Sequence, residues 1–155
     1  MFITSHLDCC KSLLTGLPIS EIAKLQRIQN ASARLITLTK QREHISPILY
    51  SLHWLLVSAR IDFKIMLLMY KCSIGQAPSY LTDLAVPYVP TRSLRSSAQS
   101  LFIQPTVNTK SYGERSFSFR GPLLWNSLPT HIKCSPSVQS FKRNLKTFLF
   151  DQHYR

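Results

Sequence analysis

The stretch SARIDFKIMLLMYKCS, residues 58–73, carries apolar side chains on almost every side of a helix drawn at about 100° per residue. A helix that is apolar nearly all round is typical of a domain interior, so this segment is predicted to be the central helix. Gly75 and Pro78 follow it and indicate its end. The basic residues of the segment share one narrow stripe: Arg60, Lys64 and Lys71.

Two helices are predicted upstream of this segment. The longer one begins with Ser20 as N-cap, because a serine hydroxyl can accept a hydrogen bond from a free backbone N–H, and it ends near Thr37. The arc predicted to be buried consists of Ile22, Leu25, Ile28, Ser32 as a small gap, Leu35 and Ile36. The opposite side is basic and carries Lys24, Arg27 and Arg34. The shorter helix begins with Ser46 and Pro47 and ends near Leu52.

Helical periodicity is lost after Val86, where prolines and a serine-rich stretch predict extended or turn structure. Residues 101–103 and 116–119 are predicted to form short strands. Residues 123–129 follow Gly121 and Pro122 and are predicted to form a single helical turn that places Trp125 in the core.

A terminal amphipathic helix is predicted to begin at Ser135 and Pro136. Its apolar face consists of Val138, Phe141, Leu145, Phe148 and Leu149. The fold is therefore predicted to be mainly α, with a helical N-terminal half and an irregular C-terminal half that holds short candidate strands and this helix. The predicted organisation is a helical unit over residues 1–85, a linker or weak hairpin over 86–110, and an extension over 111–155 packed on the helical unit.

The charge balance favours a polyanionic partner. The chain has 19 Lys and Arg against 7 Asp and Glu, which gives a formal net charge of +12. Such a field attracts nucleic acid, and it also attracts anionic lipid. Nucleic acid is favoured over a membrane, because the basic residues are spread along the chain instead of forming one juxtamembrane cluster. The longest apolar run, residues 65–70, is also far shorter than the roughly 20 residues of a membrane span.

The sequence contains no recognisable motif of an enzyme or a metal centre. The seven carboxylates are isolated, whereas two-metal polymerases and nucleases need clustered ones. Cys9 and Cys10 are adjacent and have no second pair at zinc-site spacing, and reduced thiols are favoured over disulfides. A phosphate loop needs several glycines for close backbone approach, and only four occur in the whole chain. We therefore predict no catalytic residue, no metal and no cofactor.

The aromatic residues allow two interpretations. His53 and Trp54 could stack on a nucleic-acid base, as aromatic platforms do in proteins that bind single strands. Packing in the core is the favoured prediction for both residues. The same prediction applies to the aromatic residues of the C-terminal half: Tyr112, Phe117, Phe119 and Trp125.

Seven separated strings extend over nearly the whole chain in this order: SHLDCCKSLLTGLP, LQRIQNASARLIT, REHISPILYSLHWLLVSARIDFKIMLLMYK, APSYLTDL, VPTRSLRSS, YGERSFSFRGPLLWNSLP and SVQSFKRNLKTFLF. Together they resemble the C-terminal part of the reverse transcriptases of LINE (long interspersed element) retrotransposons, a class of non-LTR transposable elements. The chain departs from that pattern at Leu56, where the family usually has proline, and at Cys9, where an aromatic residue is common.

The resemblance implies a position downstream of the polymerase palm. There the thumb and a C-terminal extension help to hold template and primer during target-primed reverse transcription. The paired metal-binding aspartates of the palm and the endonuclease of these elements lie upstream, and no residue of this chain matches them. The resemblance thus implies a non-catalytic fragment of an RNA-directed DNA polymerase. It also implies nuclear residence, which the sequence itself does not indicate, because its basic residues form no dense run.

The leading hypothesis is a fragment that contacts template RNA or an RNA–DNA hybrid through the basic faces of its helices: Lys24, Arg27, Arg34, Arg60, Lys64 and Lys71. A second hypothesis is a domesticated module that binds other proteins through apolar helices. A third is a decayed transposon remnant with no selected function. An independent hydrolase or transferase is disfavoured by the missing motifs.

Overall fold

The computed structural model describes residues 11–90, 100–109 and 112–154. Within these ranges the chain forms seven α-helices, two 3₁₀ turns and one isolated antiparallel bridge, which confirms the predicted mainly α fold. The helices are α1 Ile19–Thr37, α2 Ile45–Ser51, α3 Val57–Ser73, α4 Ser79–Thr82, α5 Phe117–Ser127, α6 Thr130–Lys133 and α7 Val138–Tyr154. The serine-rich stretch 91–99 and the Cys9–Cys10 pair lie outside the described residues.

The predicted central helix is confirmed as α3. Its side chains pack against α1 through Val57, Ile61 and Ile65, and against α5 and α7 through another part of its surface. It ends in a Schellman motif, in which Gln76 N–H donates to Lys71 O at 2.9 Å and Gly75 N–H to Cys72 O at 3.3 Å. Gly75 has a φ of +67°, a conformation that glycine adopts without steric cost.

The terminal helix α7 lies antiparallel to α3. Near one end the rings of Tyr70 and Phe141 stack, with centroids 4.2 Å apart, and the Tyr70 hydroxyl donates to Ser135 O at 2.7 Å. At the other end the Tyr154 hydroxyl donates to Trp54 O, just before α3, at 2.7 Å. The predicted apolar face is confirmed, since Phe141, Leu145 and Leu149 are buried and Val138 and Phe148 pack at the edge of the same core.

The predicted helix starts are displaced from the capping serines. Helix α1 begins at Ile19, so Ser20 lies inside its first turn, and no side chain caps it. Helix α2 begins at Ile45, one residue before Ser46. At α7 the hydroxyl of Ser137 accepts the N–H of Ser140 at 3.2 Å, whereas the predicted Ser135 donates its hydroxyl to Ile132 O.

The buried side of α1 is narrower than the predicted apolar arc. Ile22 and Leu25 pack against α3, but Ile28, Leu35 and Ile36 are exposed. The buried residues of α1 are Ser32, as predicted, and also Gln29 and Ala33. Polar side chains can be buried here because they are hydrogen-bonded: Gln29 Nε2 donates to Leu55 O, and Ser32 Oγ donates to Ile28 O.

The predicted strand over residues 116–119 is wrong, because helix α5 begins at Phe117 and continues through Gly121 and Pro122. A Cβ on Gly121 would lie 2.6 Å from Met69 Sδ, so the missing side chain lets α5 approach α3 closely. Pro122 and Trp125 are buried in the same interface. Burial of these side chains offsets the backbone hydrogen bond that a proline inside a helix cannot make.

The predicted strand at 101–103 is reduced to a bridge between Pro87 and Phe102. The side chain of Asn126 completes the hydrogen bonding of Phe102: it accepts the Phe102 N–H at 3.1 Å and donates to the Phe102 carbonyl at 2.9 Å. Trp125 Nε1 donates to Ser100 O at 2.7 Å. Adjacent residues of α5 thus hold this extended segment against the helical core.

Candidate nucleic-acid interface

An open groove lies beside the C-terminal half of α1. Its polar lining consists of Arg27, Asn30, Arg34, Thr39 and Gln41, and Ala31 and Leu35 form its apolar part. The groove exists because the chain reverses at Leu38, which has a φ of 53°. After this residue the Thr39 N–H donates back to Arg34 O at 3.2 Å, which brings Thr39 and Gln41 beside the helix.

Arg27 and Arg34 provide the positive charge of the groove. Arg27 is exposed, whereas Arg34 is half-buried and donates from one terminal nitrogen to Glu43 O at 3.1 Å. The Nε atom of Arg34 is buried and has no hydrogen-bond partner among the described residues. No lining residue is acidic. No carboxylate of the lining neutralises these two guanidinium groups, although the surface of the groove itself is mainly apolar.

Lys24, the third predicted basic residue of α1, lies outside this lining. Its ammonium group contacts both carboxylate oxygens of Glu21, at 2.8 and 3.0 Å, and both side chains are exposed. Exposed ion pairs of this kind contribute little to stability. The pairing nevertheless balances the charge of Lys24 locally, which distinguishes it from Arg27 and Arg34.

The three basic residues of α3 differ from one another in exposure. Lys64 is exposed, and Arg60 and Lys71 are half-buried. Burial lowers the pKa of the Arg60 guanidinium. None of the three lines the groove beside α1. The groove lining thus includes two of the six predicted binding residues, Arg27 and Arg34, and none of the three α3 residues.

Several residues of the groove were missed by sequence reasoning. Asn30 follows Arg27 by three positions, so helical spacing alone could have placed it on the same face. Thr39 and Gln41 reach the groove only through the left-handed turn at Leu38. A leucine gives no sequence signal for that conformation, because glycine or asparagine usually adopts it.

The aromatic residues divide into buried and exposed sets. Trp125 is 1% exposed, and Trp54 packs at the edge of the small core formed by α1 and α2, so the prediction of core packing is confirmed for both tryptophans. The same prediction is wrong for His53 and for Tyr112, whose side chains are exposed.

A metal centre has no support within residues 11–90, 100–109 and 112–154, where no three His, Cys, Asp or Glu side chains are grouped to hold an ion. Cys72 is buried and Cys134 is exposed, and both thiols are free. Burial raises the pKa of the Cys72 thiol, which disfavours the thiolate that metals and electrophiles require. None of the described helices combines the length and apolarity needed to cross a bilayer.

Comparisons with known proteins give no match: no family model, no curated protein and no solved structure is similar to this chain.

Proposed function

We propose that the chain is a non-catalytic fragment of a LINE-type reverse transcriptase that contacts template RNA or an RNA–DNA hybrid. The observation that carries the proposal is the pair Arg27 and Arg34 beside the mainly apolar groove of α1, whose lining has no acidic residue. The net charge of +12 provides the long-range attraction for a polyanion. The order of the seven family-like strings provides the assignment to a transposon enzyme.

In the proposed complex a backbone phosphate contacts Arg27 and Arg34 beside the groove. Guanidinium groups suit this role because their planar array of donors binds two phosphate oxygens at once. Arg34 is held in place by its hydrogen bond to Glu43 O, so little side-chain entropy is lost when a phosphate binds. Asn30, Thr39 and Gln41 offer neutral polar groups at the edges of the same groove. Contacts of this kind position a nucleic acid without reading its sequence.

The test is a titration of the purified chain against labelled RNA, an RNA–DNA hybrid and duplex DNA over a series of salt concentrations. Each phosphate contact contributes about 0.7 to 0.9 to the slope of log K against log salt. We expect the double variant Arg27→Gln/Arg34→Gln to lower that slope by roughly 1.4 to 1.8 and to weaken binding of every sequence equally.

The matched control is Lys24→Gln on the same helix. Because Glu21 already balances the charge of Lys24, we expect this variant to change the slope less than either arginine substitution. An unchanged slope in the double arginine variant would remove the groove from the binding surface. A protein complex that survives high salt, in a chain that binds no nucleic acid, would instead support the interaction-module hypothesis.

A further inference from the structure

Four aromatic rings meet where the end of α2 contacts the end of α7. Phe150 is at the centre: its ring centroid lies 5.8 Å from that of His53, 5.1 Å from that of Tyr50 and 4.6 Å from that of Tyr154. The His53 and Phe150 rings are nearly parallel, with an interplanar angle of 13°. Tyr50 and Tyr154 meet edge to face, with centroids 5.9 Å apart. We refer to these four residues as the aromatic platform.

The platform differs from the aromatic core of the protein in its exposure. Tyr50 is 54% exposed and His53 is also exposed, whereas Trp125 in the core is 1% exposed. His53 stacks on Phe150, and its side chain nevertheless remains exposed to solvent. Open ring faces are the surfaces on which nucleic-acid bases stack.

The backbone holds the platform in place before any ligand binds. His53 has a φ of 53°, and its N–H donates to Tyr50 O at 3.0 Å while the next N–H, of Trp54, donates to Leu49 O at 3.0 Å. This turn directs the imidazole toward α7. The hydroxyl of Tyr154 donates to Trp54 O at 2.7 Å and ties the end of α7 to the same turn. Preorganisation of this kind reduces the entropy lost on binding.

Two exposed cations share the helix face of Phe150. Lys146 precedes Phe150 by four residues and Arg143 precedes it by seven, so both lie on its side of α7, about 6 and 10 Å away along the axis. Neither forms a salt bridge with a carboxylate among the described residues. Asp151 adjoins Phe150 in sequence but lies about 100° around the helix.

We propose that the aromatic platform, together with Arg143 and Lys146, binds single-stranded nucleic acid. A base stacks on His53 and Tyr50, and the flanking phosphates contact the two cations of α7. Duplexes are excluded as ligands of this surface, because their bases are stacked on one another and offer no free face. This inference rests on the proposed function and assigns a second surface, separate from the groove of α1, to unpaired template.

The test compares oligo(U) with duplex RNA by fluorescence anisotropy, with circular dichroism to confirm the fold of each variant. The first variant, Tyr50→Leu/His53→Asn, removes both exposed rings and keeps a residue that tolerates a left-handed φ at position 53. We expect a roughly tenfold to hundredfold loss of affinity for oligo(U) and no change for duplex RNA. The salt slope stays constant, because no cation has been removed.

Two further variants separate stacking from charge. Tyr50→Phe retains the ring and is expected to retain affinity, and Tyr80→Leu removes a tyrosine that is 66% exposed but outside the platform and serves as the matched control. Arg143→Gln/Lys146→Gln is expected to lower the oligo(U) slope by about 1.4.

The outcomes distinguish the two binding proposals. Full oligo(U) affinity in Tyr50→Leu/His53→Asn, with loss in Arg27→Gln/Arg34→Gln, overturns the platform and leaves the groove intact. If Tyr50→Leu/His53→Asn loses no more oligo(U) affinity than the control Tyr80→Leu, the platform is also overturned. If the rings are required only for a complex with another protein, and oligo(U) binding is unaffected, the platform is a protein contact and this inference is wrong.

Discussion

The side chain of Gln29 is fully buried and donates a hydrogen bond to the carbonyl oxygen of Leu55 at 2.9 Å. One turn earlier, the side-chain oxygen of Gln26 accepts the N–H of Val57, the first residue of α3, also at 2.9 Å. Gln26 Nε2 donates in turn to Gln29 Oε1 at 3.1 Å. Two amides of α1 therefore satisfy backbone groups at the start of the central helix, where no side chain of α3 itself acts as a cap.

We expect Gln29→Ala to lower the free energy of unfolding by about 1–3 kcal/mol, because the Leu55 carbonyl would lose its partner in a buried position. Urea denaturation followed by circular dichroism measures this loss. Gln41→Ala, at an exposed position, is the control and should change the stability by less than about 0.5 kcal/mol. Equal small effects from the two variants would show that the buried amide is not a stabilising contact.

The close approach of α5 to α3 gives a second prediction. Gly121→Ala places a Cβ against Met69 Sδ, and the buried methionine must shift; net of the roughly 1 kcal/mol that alanine gains over glycine in a helix, the change should cost up to about 2 kcal/mol of stability. In a Met69→Ala background the new methyl group has room, so the double variant should lose less than the sum of the two single variants. Thermal or urea unfolding of the four proteins measures the coupling. Strict additivity would contradict the contact.

The left-handed turn at Leu38 predicts a substitution that increases the stability of the fold. Leu38 is 91% exposed, so its side chain contributes little packing, while its φ of 53° is costly for any residue with a Cβ. Leu38→Gly should therefore stabilise the fold by about 0.5–1 kcal/mol. Leu38→Ala retains the steric cost and should give no such gain. The measurement is the urea midpoint of each variant, and a gain with alanine equal to that with glycine would refute the argument.

Asp62 gives a dependence of stability on pH. Desolvation raises the pKa of this carboxyl above its ordinary value of 3.8, although Arg120 at 3.5 Å and His153 act in the opposite direction. The folded state therefore holds this proton more tightly than the unfolded chain does. The contribution of this proton to the stability of the folded state is fully present below pH 3.8. It is lost as pH rises through the raised pKa of Asp62.

The corresponding test follows unfolding of the native chain and of Asp62→Asn between about pH 3.5 and 6, a range that starts near the ordinary carboxyl pKa. We expect the stability of the native chain relative to the variant to fall as pH rises across this range. The variant also loses the contact with Arg120, which shifts the stability difference by a constant amount. This shift does not change the direction of the trend with pH. A relative stability that rises with pH would mean that the ion pair outweighs desolvation.

The sequence predicted the parts of the fold that depend on apolar periodicity. Helices α3 and α7 were found because their apolar residues recur at helical spacing, and Gly75 marked the end of α3 correctly. The start of α5 was missed because Gly121 and Pro122 usually interrupt helices, and only the contact with Met69 shows why they are accommodated.

The candidate sites were harder to predict, because they depend on turns and on contacts between residues that are distant in the sequence. Spacing on α1 identified Arg27 and Arg34, but the turn that completes their groove depends on a leucine in a conformation that its sequence does not signal. Gln29 had no predicted role, because its partner lies 26 residues later in the chain. The aromatic platform joins residues of α2 with residues of α7 and has no local signature.

The hydrogen bond between Tyr154 and Trp54 joins residues separated by 100 positions. Closing so long a loop costs entropy before any contact repays it, which slows folding compared with helical proteins dominated by local contacts. During synthesis α3 emerges long before α7, and until then Tyr70 and Trp125 lack the Phe141 ring that packs on both. The nascent chain therefore keeps this apolar surface exposed until α7 has been synthesised.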